Sequence, residues 1–418
     1  MSMQRWSVLV VLMTALPLAA APAQDQRPWE KKEWEACLNT GGVLALDVQI
    51  AGCSAIIEAG TETPANMAVA FYSRGLAYVD ATQYGRAIAD FDQALRIEPA
   101  SASVFYSRGL AFLRIGQYDR AIADFDQAIR LDPADAEALL GRALAHNGKG
   151  ELEKEIQDYD EVIRLTPDNA RAFYNRGLAH TRNGDSERAI ADFDQAVRLD
   201  PKDVDALIVR GNAYSDKGQF DRAIQDYDEA IRLDPRSAVA FYNRGNAWHG
   251  KREFDRAIED YSEAIRLDPD DADAFASRGD AYEQKGQYDR AIHDYDQAIR
   301  LSPGDPEALN SRCYARASAG HLEAALGDCN EALRLKPDAA HILDSRGFTY
   351  LKMGQLKEAI ADYDAALKID PRNAEALFGR GVALRRLGNA AAGDADLAAA
   401  SAVDGGVAAK LARRGLVP

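Results

Sequence analysis

Closely spaced acidic residues are the first candidates for chemistry in this sequence. Asp90 with Asp92, Asp124 with Asp126, and several later counterparts form Asp-x-Asp pairs. Such pairs suit a divalent cation or a sugar nucleotide. Each, however, lies in an apolar pattern of helical period, where residues i and i+2 project to different sides, so the two carboxylates cannot close on one ion. No loop carries the calcium-binding spacing with its central glycine. There is no glycine-rich phosphate loop, no HExxH and no GxSxG. The histidines (His146, His180, His249, His293, His321 and His341) are scattered singly. The four cysteines form two pairs of equal spacing, Cys37 with Cys53 and Cys313 with Cys329. They lack the CxxC motif of redox or metal work and a poised histidine for nucleophilic work. No catalytic residue, metal ligand or cofactor site is therefore expected.

The elements that carry these residues are set by a repeat. Pro99, Pro133, Pro167, Pro201, Pro235, Pro269, Pro303, Pro337 and Pro371 follow one another at a strict 34-residue spacing. Between prolines, apolar residues recur at helical spacing in two blocks, split in residues 102–135 by Gly116-Gln117. The pattern predicts helix, tight turn, helix, and then a proline that discourages continuation.

This pattern resembles the tetratricopeptide repeat family. Its signature is an aromatic at repeat position 4, Gly at 8, an aromatic at 11, Ala at 20, an aromatic at 24, Ala at 27 and Pro at 32. The repeat beginning at Ala68 supplies Phe71, Gly75, Tyr78, Ala87, Phe91, Ala94 and Pro99. The repeat beginning at Ala238 supplies Phe241, Gly245, Trp248, Ala257, Tyr261, Ala264 and Pro269. Nine repeats fit over 68–373, and a degenerate tenth with a C-terminal cap fills 374–418. The resemblance implies an all-α fold, a right-handed superhelical solenoid of antiparallel helix pairs. Stacking supplies the core that one helix pair cannot bury alone. Glu155 in place of the position-20 Ala and Thr82 in place of the turn Gly at position 15 imply local loosening. Residues 24–67 read as a degenerate capping pair, with Trp29, Trp34 and Leu38 on its first helix and Asp47 placed to cap a second over 48–59. Residues 410–416 read as a short closing helix.

Arg occupies position 7 and Asp position 23 in all ten repeats. The hairpin puts these positions at one height, which predicts an Arg–Asp ladder. Asp at 25 and a base at 29, as in Asp92 with Arg96 and Asp126 with Arg130, are placed for i, i+4 support. Cys313 at position 8 and Cys329 at position 24 face each other across their hairpin, and Cys37 and Cys53 lie on facing cap helices. Two disulfides are expected. His146 and His180 take the aromatic position 11 and are expected to pack; His249 and His341 fall on groove positions.

Residues 1–23 read as a signal peptide: Arg5, an apolar run from Val8 to Leu18, and Ala21-Pro22-Ala23 before a cut at Gln24. Together with the cysteine-bearing cap and the repeats, this resembles exported bacterial repeat proteins, which places the chain in the periplasm or outside the cell. No transmembrane anchor is expected after cleavage. The chain of 418 residues carries 66 acidic against 50 basic residues, a net charge of −16. That excess argues against nucleic acid, which needs a basic stripe, and against anionic membrane surfaces.

In this family the resemblance places a concave groove on helix-A positions 2, 5, 6, 9, 12 and 13. Repeats 1–4 offer there Tyr72, Leu76, Tyr106, Leu110, Leu113, Leu144, Tyr174 and Leu178. Asn175, Asn212, Asn243 and Asn246 lie between, with Tyr242 beside them. Repeats 5–9 offer Asp205, Asp216, Asp273, Asp280, Glu283, Glu307 and Asp344, with Lys352 as the opposing charge. The expectation is an apolar half that anchors side chains and an acidic half that favours a basic segment. Position 5 is mostly Tyr, Leu or Ile, so the family's clamp for acidic C-termini is not expected. The function implied is a non-catalytic interaction scaffold for a peptide or protein segment. The alternatives are a self-associating part of an envelope assembly and an accessory that presents substrates to a separate enzyme.

Overall fold

The computed structural model describes residues 32–417. The signal peptide and Trp29 lie outside the described residues. Twenty-three helices and no strand occur among those described. They form two compact bodies, residues 32–165 and 166–417 of the described chain.

The N-terminal body opens with the pair Lys32–Leu38 and Leu46–Ala59, joined by the Cys37–Cys53 disulfide. Trp34, Ile56 and the two cysteines form its core. The second helix starts at Leu46 behind Ala45, so Asp47 sits inside its first turn and does not cap it as expected. Three repeats follow: Pro64–Asp80 with Tyr84–Ile97, Ala102–Arg114 with Tyr118–Leu131, and Ala136–Lys149 with Leu152–Leu165. The C-terminal body holds seven more pairs, from Ala170–Arg182 with Ser186–Leu199 to Ala374–Arg386 with Ala390–Val403, and then a short helix, Val407–Ala412.

Close approach of the two helices explains the position-8 glycine. A Cβ on Gly75 would lie 2.5 Å from the Phe91 ring at position 24 of the same repeat. Repeat 8 solves the same contact differently. Cys313 replaces the glycine, Cys329 replaces the ring, and a disulfide joins them. The turn needs a positive φ, supplied by glycine in most repeats. Thr82 takes it at 56° and Arg252 at 63°, the second an exception not anticipated from the sequence. Glu155 leaves both helices of repeat 3 intact, and the buried carboxylate accepts a hydrogen bond from Asn147 Nδ2 at 3.0 Å, but the two helices meet less closely than in any other repeat, the local loosening that the substitution implies.

The Arg–Asp ladder is present and has a second half. Each position-7 arginine donates twice to the position-23 aspartate of its own hairpin, as Arg108 does to Asp124 at 2.7 and 2.7 Å. In several repeats its remaining nitrogen reaches position 25 of the preceding repeat: Arg108 to Asp92, Arg142 to Asp126, Arg210 to Asp194, Arg312 to Asp296. One guanidinium thus closes a hairpin and joins two repeats. This corrects the expected i, i+4 pairing, since Asp92 and Asp126 serve the next repeat and Arg96 and Arg130 bond Gln93 and Gln127.

Candidate functional site

The helix-A face of the N-terminal body is made of half-buried apolar groups seated on rings. Tyr72 lies 5.9 Å from Phe91, and Tyr106 lies 6.0 Å from Phe125, centre to centre. Tyr72 also meets Ser107 Oγ at 3.3 Å, and burial raises the pKa of its phenol. Leu76 packs on the cluster of Phe91, and Leu110 and Leu113 on that of Phe125. These side chains keep part of their surface open.

In the C-terminal body the face begins in the same way. Tyr174 lies 6.3 Å from Phe193, Leu178 packs beside it, and Asn175 is buried. Burial first, and then Asp205 and Asp203, push the Tyr174 phenol up to about 12. Tyr242 lies 5.9 Å from Tyr261. Asn243 is partly exposed. A second rule governs repeats 5–7, where position 24 is tyrosine. Its hydroxyl donates at 2.7 Å to position 9 of helix A: Tyr227 to Asn212, Tyr261 to Asn246, and Tyr295 to Asp280. A buried hydroxyl needs an acceptor, so these face residues are first internal partners. The signal was partly in the sequence: repeats 1, 2 and 4 pair Phe at 24 with Leu at 9, although repeat 3 keeps Leu144 with Tyr159 and repeat 9 keeps Phe348 with Tyr363.

The acidic end is occupied by the chain's own terminus. The guanidinium of Arg414 reaches Tyr314 Oη and Glu375, the latter at 3.4 Å, and Glu283 at 3.4 Å. It also lies 4.5 Å from the centre of the Tyr314 ring. Arg414 and Glu283 keep only 10% and 11% of their side-chain surface exposed. Lys410 pairs with Glu375. Lys352 Nζ donates to the Arg414 carbonyl at 3.4 Å, and Arg386 to that of Val417 at 3.3 Å. Val407, Leu411 and Leu416 are fully buried in the cluster that includes Leu351 and Tyr363. Burial pushes Glu283 up to about 7 against the opposing pull of Arg414. Asp344 is raised well above the usual carboxylate range by burial, with Glu375 adding to it.

This arrangement amends the expected balance of charge. Lys352 is not the main counter-charge; Arg414, from outside the repeats, is. The closing helix also spans Val407–Ala412, earlier than expected, and the chain then turns at Gly415, φ 78°, to insert Leu416. Of the other acids, Glu307 is held by Lys336 and His341 at 2.9 and 2.8 Å, and Asp216 and Asp273 are exposed. Among the described residues no group of His, Cys, Asp and Glu could hold a metal ion, and no helix is long and apolar enough to cross a membrane. His146 and His180 are buried in the position-11 packing, as expected. His249 stacks edge-on to Phe254 at 5.2 Å, and burial lowers its pKa.

Comparison with known proteins agrees with this architecture. Models described as Tetratricopeptide repeat match residues 106–170, 156–204, 208–272 and 272–305. A model described as TPR repeat matches 75–116 and 349–388. Together they span more than half of the chain. Cut9–Hcn1 of the APC/C superposes at a TM-score of 0.50 and 14% identity, covering 92% of this chain and 96% of that one; at that identity it bears on the fold alone. A tetratricopeptide repeat protein from Parabacteroides merdae is 22% identical, with a TM-score of 0.45 over 55% of this chain and 91% of that one. YrrB, described as a TPR protein with an unusual peptide-binding site, is 24% identical, with a TM-score of 0.40 over 44% of this chain and 95% of that one. No curated protein sequence matches the chain.

Proposed function

The chain belongs to the tetratricopeptide repeat family, and from that premise we propose that it is a non-catalytic scaffold which holds a peptide or protein segment on its helix-A face. The observation that carries the reading is the position-5 tyrosines, Tyr72 and Tyr106 in one body and Tyr174 and Tyr242 in the other, each seated on a position-24 ring. Rigid, half-buried aromatics on fixed helices are good anchors, because little side-chain freedom is lost on binding. The groove is the working surface, and a basic segment suits its acidic part. The two disulfides and the leader-like residues 1–23 support export to the periplasm or beyond.

The test uses a photo-crosslinking residue at Leu113, on the helix-A face, or at exposed Ala123 on helix B. Discrete crosslinked species are expected from Leu113 and not from Ala123. They should disappear when Tyr72→Ala and Tyr106→Ala are added to a chain of unchanged helix content. Equal crosslinking from both positions, or insensitivity to the tyrosine changes, refutes the reading.

A further inference from the structure

The terminus lies on the C-terminal body as a bound peptide would. Its side chain Arg414 enters a pocket of carboxylates and an aromatic ring. Its carbonyls at Arg414 and Val417 are held by Lys352 and Arg386. Leu416 borders the same crevice as Tyr314, Asp344 and Phe348 and is 1% exposed. A charged pocket, two main-chain clamps and an apolar pocket are the parts that segment recognition requires.

Two observations set this occupant apart from the stack of repeats. The segment lies outside the repeat pattern, and the last ladder pair, Arg380 with Asp396, is completed without it. Its helix has six residues, far too few to persist alone, so its order depends on docking. The receiving side also stays acidic. Glu283, Asp344 and Glu375 converge where the segment supplies Arg414 and Lys410.

We infer that this face is a receptor for an arginine-bearing segment and that residues 407–417 are its built-in occupant. A partner that uses it presents an arginine with a leucine two residues beyond, as Arg414 and Leu416 stand here, and enters by displacing the terminus. The inference rests on the proposed segment-binding role of the helix-A face. A tethered occupant acts at an effective concentration of the order of millimolar, so a free competitor binds the intact chain weakly and a chain with a loosened terminus far better.

The test uses the full chain and a fluorescent peptide of residues 405–418. Arg414→Glu in the protein is expected to tighten peptide binding by about tenfold or more over the unaltered protein. The same peptide with alanine in place of Arg414 should not bind, and adding Glu283→Gln and Glu375→Gln to the protein should abolish the gain. Binding no tighter than to the unaltered protein, at unchanged helix content, overturns the inference. Should Arg414→Glu lose helix content, hydrogen exchange in the unaltered protein decides. Saturating peptide is expected to speed exchange of amides 407–417, and unchanged exchange overturns the inference. Failure here with the Leu113 crosslinks intact removes this receptor and leaves the scaffold reading standing; loss of both removes the scaffold reading as well.

Discussion

The helix-A faces of the two ends of this molecule share one backbone pattern and differ in how far they are covered. In the N-terminal body, Tyr72, Tyr106 and Leu113 sit half-buried on rings of their own hairpins and keep part of their surface open. In the C-terminal body, Glu283, Tyr314, Asp344 and Glu375 receive Arg414, and Leu411 and Leu416 seal the surface. The repeat therefore builds the face, while residues at positions 2, 5, 9 and 12 decide its chemistry. An apolar face stays serviceable in water because its rings are already packed. A converging set of acids does not, since desolvated like charges need a cation.

The comparison breaks most sharply by substitution of matched leucines. Leu411→Ala removes a buried side chain and should cost about 2–5 kcal/mol, whereas Leu113→Ala, half-open, should cost about 1 kcal/mol. Chemical denaturation followed by probes in each body measures both. Near-equal losses would show that the terminus is no better packed than the open face.

The pH dependence separates the two faces next. Glu283 is raised from its usual value to about 7 by burial, and Asp344 is raised too. The folded state then holds protons that the unfolded chain releases, so stability of the C-terminal body should fall as pH rises from about 4.5 to above 7. Glu283→Gln should flatten that slope without altering the response of the N-terminal body. A slope of the opposite sign would contradict the burial of these acids.

Smaller effects test the two rules of the hairpin. Tyr261→Phe strands the Asn246 acceptor and should cost about 1 kcal/mol by thermal unfolding. No comparable hydroxyl exists at Phe91 or Phe125, so the cost is confined to repeats of the tyrosine type. Thr82→Gly should stabilise the N-terminal body by roughly 1 kcal/mol or less, since threonine there holds a φ of 56°. A loss of stability would show that the threonine side chain makes up for its backbone.

Much of this was legible in the residues. The regularly spaced prolines, the contact of Gly75 with Phe91 and its counterparts, and the pairing of Arg74 with Asp90 and its counterparts follow from local periodicity repeated many times. The Cys313–Cys329 pair was legible for the same reason, because the repeat frame places positions 8 and 24 opposite each other. What escaped was the unrepeated part. Arg414 meets Glu283 across 131 residues, and no period relates them, so the acids read as open groove when their cation was already in the chain. The bonds from Tyr227 to Asn212 and from Tyr261 to Asn246 were visible as paired changes within one sequence. Both asparagines nevertheless read as groove residues, because the repeat pattern names no acceptor for the tyrosine hydroxyl. The onset of the cap helix at Leu46 was missed because Asp47 is a good capping residue that the chain uses inside the first turn instead.

The terminus is held to the acidic face by Arg414, the cation that offsets the buried acids there. Hydrogen exchange of the amides of Arg414, Gly415 and Leu416, which bond back to Leu411 and Ala412, tests this most directly. In the unaltered chain these amides should be protected. In an Arg414→Gln chain, which keeps much of the side chain but lacks its charge, the amides at 414–416 should exchange at least about tenfold faster, a change of about 1.4 kcal/mol, while the repeat helices keep their protection. Equal protection of the terminus in both proteins would contradict the account.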